Sequence, residues 1–172
     1  MYLWEKVSNY LKNSPSKLSI VHILLKYGLK ITEDGKICLD EVEIPDTKIA
    51  KVCGAERRAI RETVKFIRNE PELAKLFERL KPAGASLEDI AYFFGYGILK
   101  IHADPKVIGV ISSVTTLLAK ENIGIMQIIS EDPSSTPNPM LVIITDQMIP
   151  GKLLSQFLSI KGIRDIIFPS TV

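Results

Sequence analysis

Apolar positions in the first half of the chain recur at helical spacing. Leu3, Trp4, Val7, Tyr10 and Leu11 lie three and four residues apart and predict a first amphipathic helix. Ser14-Pro15 then marks a stop and a new start, with serine at the N-cap and proline at the first helical position, where its missing N–H is not needed. A second helix is expected from about Ser16 to Tyr27, with Gly28 as its C-terminal stop. In "LKITEDGKICL" the period changes to two around Asp34-Gly35, which predicts a small β-hairpin. Helical spacing returns in "DTKIAKVCGAERRAIRETVKFI", as two short runs joined at Cys53-Gly54. After "NEPE", a helix near Pro71 to Leu80 and a short one near Leu87 to Phe94 flank "KPAGAS".

From Gly97 onward the texture differs. "GILKIHA" predicts a strand and "IGVISSVTTLLAKE" a helix. "IGIMQIIS" and "PMLVIIT" are β-branched strand runs separated by the turn-rich "EDPSSTPN". "PGKLLSQFLSIKG" predicts a second helix and "IRDIIF" a last short strand. The order is β-α-β-β-α-β, the ferredoxin-like split-βαβ plan: a four-stranded antiparallel sheet with two helices on one face. The other face must then be solvated or covered. The fold class is α+β, with two domains expected: a helical one over 1–96, carrying the paired helices at about 46–68, the connecting helices over 71–94 and the small hairpin, and a ferredoxin-like one over 97–172. "GILKIHA" and "PMLVIIT" are too apolar to stand as long exposed edges, so pairing between subunits into a homodimer, or a higher even oligomer, is expected.

Composition changes the picture only locally. With 172 residues, 46% hydrophobic and 24% charged, the chain can bury a core and is not of disordered type. The start Met1-Tyr2-Leu3-Trp4 lacks a basic segment and an apolar h-region, so no secretory signal is expected. The longest apolar run, near Ile20 to Leu25, is broken by His22 and far too short to span a bilayer, so no membrane partner is expected. Two cysteines, Cys38 and Cys53, fit a reduced cytoplasmic protein. Net charge is only +2, but its distribution is uneven: residues 1–96 hold 16 Lys and Arg against 14 Asp and Glu, whereas residues 97–172 hold 6 of each. Between Lys48 and Arg68 there are 7 basic and 2 acidic residues.

That basic excess falls on the paired helices. Asp46 is placed to cap the first, whose inner face is Ile49, Ala50 and Cys53, and Gly54 offers the positive φ that a sharp turn requires. The second helix is expected to begin at Ala55 or Glu56. A close-packed helix-turn-helix needs a small residue at the crossing, a turn glycine four later and an aliphatic six beyond; Ala50, Gly54 and Ile60 meet those demands. At about 100° per residue, taking Arg57 as zero, Arg68, Arg61, Lys65 and Arg58 fall at roughly 20°, 40°, 80° and 100°. Phe66, Ala59, Thr63, Ile67, Ile60 and Val64 occupy roughly 180° to 340°, and Glu62 intrudes near 140°. A positive helix of this width fits a DNA major groove. Arg57, Arg58, Arg61, Lys65 and Arg68, with Lys48, are therefore the candidate contacts to duplex DNA; a solvated helix of a helical domain is the competing reading. No wing follows the motif, because the chain goes on to "NEPELAKLFERL"; the hairpin precedes it.

In the second half, "IGVISSVTTLLAKENIGIMQIIS" resembles the signature of the ACT domain family, small amino-acid-sensing modules attached to metabolic enzymes and regulators. The resemblance covers 97–172: Gly109 matches the glycine opening the family's first helix, and "LLAKENIGI" the run into its second strand. A glycine there lets a ligand carboxylate approach the N–H groups of a helix N-terminus; a close helix–sheet contact would equally call for one. The resemblance implies an amino-acid effector at a dimer interface, lined by Asp104, Lys106, Val107, Ile108 and Gly109, with Asn122, Ile123 and Gln127 beyond the helix. Many members have a glycine and, two residues later, a polar ligand-binding side chain; this chain has Asn122 and then Gly124. The whole chain, through "LLKYGLKITEDGKI" and "DTKIAKVCGAERRAI" as well, is similar to the archaeal predicted regulators of amino-acid metabolism that join a DNA-binding-like helical region to a C-terminal ACT domain.

No catalytic constellation is legible. His22 lies in an apolar helix and His102 in a strand, neither with a serine, cysteine or carboxylate at telling spacing. Cys38 and Cys53 form no C-x-x-C and no cluster with histidine, so no metal site is expected. "GASLEDIAYFFGYG" lacks the Walker lysine, so no phosphate loop is expected either. The chain is expected to be no enzyme and to carry no cofactor beyond an amino-acid effector. Two functions remain: an amino-acid-responsive transcription regulator, or an ACT regulatory or adaptor subunit that binds an amino acid and a partner enzyme.

Overall fold

The computed structural model describes residues 3–136 and 138–168. The expected turn at Pro137 and the outermost ends of the two expected domains lie outside the described residues. The class is α+β with two antiparallel sheets, and the chain divides into two compact units, one of Glu5–Gly84 and one of Ala85 onward that also takes in Leu3 and Trp4.

In the first unit the elements run α1 (Leu3–Tyr10), α2 (Pro15–Lys26), β1 (Leu29–Ile31), β2 (Ile37–Leu39), β3 (Val42–Glu43), α3 (Asp46–Cys53), α4 (Arg57–Asn69) and α5 (Pro71–Arg79). Pro15 opens α2 as expected, although the Ser14 side chain makes no capping bond. α2 packs on α3 and α4, burying Ile20, Val21 and Leu24 together with Ile49, Ala50, Ile60, Val64 and Ile67. α5 adds Leu73 and Phe77 and packs on α4 and β1. The Tyr10 hydroxyl donates to Glu72 at 2.7 Å and Lys6 pairs with the same carboxylate at 3.0 Å, tying α1 to α5. Those two partners hold the Glu72 carboxyl below its ordinary range.

The expected hairpin is present, with Lys30 paired to Cys38 across the turn. A third strand, β3, was not foreseen: at two exposed residues it is too short to carry a period.

The second unit opens with the 3-10 helix Glu88–Phe94 and continues as β4 (Gly97–Ala103), α6 (Val110–Lys120), β5 (Ile125–Ser130), β6 (Met140–Thr145), α7 (Leu154–Leu158) and β7 (Ile163–Ile167). Strand order is β5-β6-β4-β7, every pair antiparallel, so the β4-α6-β5 crossover leaves a gap that β6 fills. Leu99, Ile101, Leu141 and Ile143 face the helices and pack with Val114, Leu118, Leu153 and Phe157. On the opposite face Val142 and Ile144 are covered by Ala91 and Leu87. This covering moves the division of the chain to Gly84/Ala85 rather than residue 96. Gln127 fastens the same segment: its Oε1 accepts from Leu87 N–H at 2.9 Å and its Nε2 donates to the Ala85 carbonyl at 2.8 Å.

The expected edges need correction. "GILKIHA" and "PMLVIIT" are β4 and β6, the two central strands, and their apolar character reflects burial on both faces. The edges are β5 and β7. β5 leaves Ile125, Met126 and Ile128 substantially exposed.

Candidate functional site

Two sites take shape, one in each unit. The first is built on the α3–α4 turn. Gly54 sits at φ +60°, ψ 33°, and Ala55 N–H reaches back to the Ala50 carbonyl at 2.9 Å while Gly54 N–H reaches that of Lys51 at 3.4 Å. These are the two reverse bonds of a Schellman ending, which needs a left-handed residue where Gly54 stands. Nothing lies within 4 Å of where a Gly54 side chain would begin, so backbone conformation alone selects glycine there. α4 starts at Arg57, slightly later than expected, after an extended Glu56.

The face assignment along α4 follows the angular pattern. Ile60, Thr63, Val64 and Ile67 are buried, and Arg57, Arg58, Arg61, Lys65 and Arg68 are all exposed. Thr63 satisfies its hydroxyl on the Ala59 carbonyl at 2.7 Å. Asp46 does not cap α3; Pro45 holds that position, and Asp46 is the first helical residue. Its carboxylate, 22% exposed, instead lies 3.1 Å from Arg61 Nε and 3.7 Å from Arg57 Nε. Arg58 Nε meets Glu62 at 2.8 Å one turn along. Among the described residues neither Lys65 nor Arg68 forms an ion pair.

Arg57, Arg61, Lys65 and Arg68 line one wall of a cleft of about 860 Å³, and Gly35, Lys36 and Glu43 of the small sheet line the other. A side chain begun at Gly35 would stand 3.5 Å from the Arg68 guanidinium, so the hairpin tip lies directly beside α4. Sequence order hid this: the hairpin precedes the paired helices, yet it flanks the second of them. Lys36 is itself paired with Glu43 at 3.1 Å and Asp34 at 3.6 Å, which raises its pKa. Arg58 and Lys48 are exposed but do not line this cleft.

The second site is a cleft of about 770 Å³ in the sheet unit. The loop after β4 supplies Asp104, Val107, Ile108 and Gly109, and the segment between β5 and β6 supplies Glu131, Pro133 and Pro139. Gly109 has φ +96° and ψ 0° and precedes α6, whose first hydrogen bond runs from Ser113 N–H to Gly109 O. The N–H groups of Val110, Ile111 and Ser112 therefore lie ahead of the helical ladder. A side chain begun at Gly109 would meet only Ser112 Oγ, at 3.7 Å, so no close helix–sheet contact accounts for this glycine. Asp104 accepts from Lys106 N–H at 2.9 Å and pairs with Arg164 at 3.5 Å; both depress its carboxyl pKa, the backbone bond most. Ile108 is 99% exposed.

The structure does not gather all the residues expected around this cleft. The Lys106 side chain does not line it. Asn122, at φ +55°, offers its carbonyl to Gln147 Nε2; Ile123 is buried in the helix-side core; Gln127 is engaged by Ala85 and Leu87. Sequence reasoning missed Glu131, just past the end of β5, and Met140, which opens β6; both reach the cleft from segments far in sequence from the loop of Asp104 and Gly109. His102 is nearly buried in β4, with Nδ1 3.4 Å from the Pro139 carbonyl, and His22 is half-buried on α2. Among the described residues no three His, Cys, Asp or Glu side chains converge as metal ligands would, and no helix is long and apolar enough to cross a membrane.

No protein-family model matches the chain, and no curated protein matches it. Among solved structures it is similar to a transcriptional regulator of Neisseria meningitidis crystallised as its L-Met complex, at 13% identity over 88% of this chain and 84% of that one, with a TM-score of 0.27. It is also similar to PH0061, at 13% identity over 91% of this chain and 92% of that one, with a TM-score of 0.29. Scores this low say nothing about the chemistry of either cleft.

Proposed function

We propose that the chain is an amino-acid-responsive transcription regulator of the helix-turn-helix plus ACT type, resembling the archaeal regulators of amino-acid metabolism. One observation carries the DNA half: α4 follows a Schellman turn, buries one face, and presents five cations on the other with no apolar residue among them. Arg57, Arg58 and Arg61 occupy the first turns, where recognition helices reach base edges, and Lys65 and Arg68 lie further along, toward the phosphates. Lys48 is a further phosphate contact on α3.

The effector is an amino acid held in the sheet-unit cleft, its carboxylate at the N–H groups that follow Gly109. Glu131 and Asp104 are the nearby anions for its ammonium, and Ile108, Ile111 and Met140 offer apolar surface to its side chain. The same unit makes a homodimer: edge strand β5 and the exposed Ile108 supply the apolar surface that a second copy would cover. No catalytic role and no cofactor are assigned.

The adaptor reading has one observation of its own. Tyr92, Phe93 and Phe94 on the 3-10 helix are exposed, Phe93 by 69%, and such an aromatic patch suits a protein partner. Selection of binding sites from random duplexes with the purified protein separates the two. Enrichment of a palindromic site, with half-sites about one helical turn apart or a multiple of it, supports the regulator. No enrichment leaves the adaptor. A thermal-shift screen with the twenty amino acids then identifies the effector, because a ligand that prefers the folded state raises the Tm.

A further inference from the structure

Resting on the DNA reading above, we infer that Asp46 is a positioning residue for base recognition: it holds Arg61 by an Nε–H hydrogen bond, and draws Arg57 beside it as an ion pair, so that the terminal amino groups of Arg61 face the DNA. An arginine reads guanine with two parallel N–H donors, and doing so requires a guanidinium that is aimed before contact. A free arginine on a helix surface samples many rotamers and must lose that freedom on binding.

Here Arg61 Nε donates to Asp46 Oδ2 at 3.1 Å, and Arg57 Nε lies 3.7 Å from the same oxygen, an ion pair without a hydrogen bond. Among the described residues no hydrogen bond engages the terminal nitrogens of either arginine. Asp46 itself is anchored as the first residue of α3 and is far less exposed, at 22%, than the arginines at 56% and 62%. The buttress therefore sits on the rigid side of the pair. Among the described residues Lys65 and Arg68 carry no such partner, as suits contacts to phosphate, where charge matters more than aim. The pairing also explains an acidic residue inside the most basic surface of the chain. Its charge weakens attraction to phosphate, and its geometry compensates by favouring the right base.

Those two effects oppose each other, which makes the test sharp. Using the intact protein and the duplex recovered by selection, affinities for that duplex and for a scrambled one are measured at several salt concentrations. Asp46→Ala should bind the scrambled duplex more tightly and with a steeper salt slope, while the ratio between selected and scrambled duplexes falls by about tenfold or more. Arg61→Lys keeps the charge but has no Nε–H fork, and should lose a similar share of that ratio with little change in scrambled binding. The double variant should be no worse than the poorer single one, because both remove the same interaction. An unchanged ratio in folded Asp46→Ala, or additive losses in the double variant, overturns the inference while the DNA reading stands. Should Asp46→Ala fail to fold, Arg61→Lys decides alone: a retained ratio overturns the inference. Wild-type protein that enriches no duplex overturns both.

Discussion

Gly109 separates a backbone requirement from a packing requirement, because the fold supplies a matched control. Gly109 has φ +96° and Gly162 has φ +97°, so an alanine at either site meets the strain of a left-handed φ that side chains rarely adopt. That strain is about 1–3 kcal/mol for a residue with a side chain held in a sparsely populated region. The surroundings differ. At Gly109 the new methyl would meet only Ser112 Oγ at 3.7 Å; at Gly162 it would stand 2.8 Å from Val107 Cβ and Cγ1. Relief of that overlap should add about 1–3 kcal/mol to the cost at Gly162 alone. Native-state hydrogen exchange at the amides of β4 and β6 reads the stability of this unit directly. The expected order is wild type, then Gly109→Ala, then Gly162→Ala. An equal or greater loss at Gly109 would show that glycine is there for packing. Gly109→Val adds bulk over the N–H groups of Val110 and Ile111 and should abolish the amino-acid-induced thermal shift while leaving a folded protein. The signal is ample, since a ligand at about 100 times its Kd stabilises by about 2.7 kcal/mol. A shift that survives in Gly109→Val would move the effector away from this helix end.

Other outcomes follow from the same geometry. Arg61→Ala should cost about 1–3 kcal/mol on the selected duplex and relax preference at one base pair. Lys65→Ala should instead weaken binding to all duplexes and lower the salt slope by about one unit, as titrations at several salt concentrations would show. Asp104, whose carboxyl is held below its ordinary value of 3.8 by Lys106 N–H and Arg164, contributes stability that is present above that value and lost as pH falls through the lower folded one. Wild type should therefore exceed Asp104→Asn in urea melts at neutral pH, with the gap closing in acid; a constant gap would contradict this. Ile128→Lys on edge strand β5, combined with Ile108→Asp, should give a monomer by light scattering at micromolar concentration, where wild type gives a dimer. A wild-type monomer, or a dimeric double variant, would place the subunit contact elsewhere.

Much of the architecture was legible because periodicity reports burial. The α4 faces could be assigned from angles alone: Ile60 and Ile67 are buried where the wheel places them, and the five cations are exposed. Strand runs after Gly97 were legible for the same reason, and Gly54 was marked by the turn it must make. What failed was information that resides between distant segments. "GILKIHA" and "PMLVIIT" look like vulnerable edges when read one at a time, and become central strands only once the sheet order is known. The 3-10 helix Glu88–Phe94 reads as part of a helical half until Ala91 is seen covering Val142 and Ile144. Asp46 was assigned to the nearest backbone donors, whereas its partners lie 11 and 15 residues away, at no local period. Gln127 is polar within a strand and suggests a ligand, but it spends both ends of its amide on the backbone of residues 85 and 87.

The central claim is that the exposed basic face of α4 binds duplex DNA. Its most direct test is the affinity of the purified protein for a duplex selected from a random pool, titrated across salt concentration. The logarithm of the association constant should fall linearly with that of salt, by about 0.9 for each phosphate neutralised, so that Lys65 and Arg68 alone give a slope of about −2 per chain. Removing both cations should flatten the line by that amount. A pool with no enriched duplex, or a slope that the double removal leaves unchanged, would contradict the claim and leave a protein partner as the target of this face.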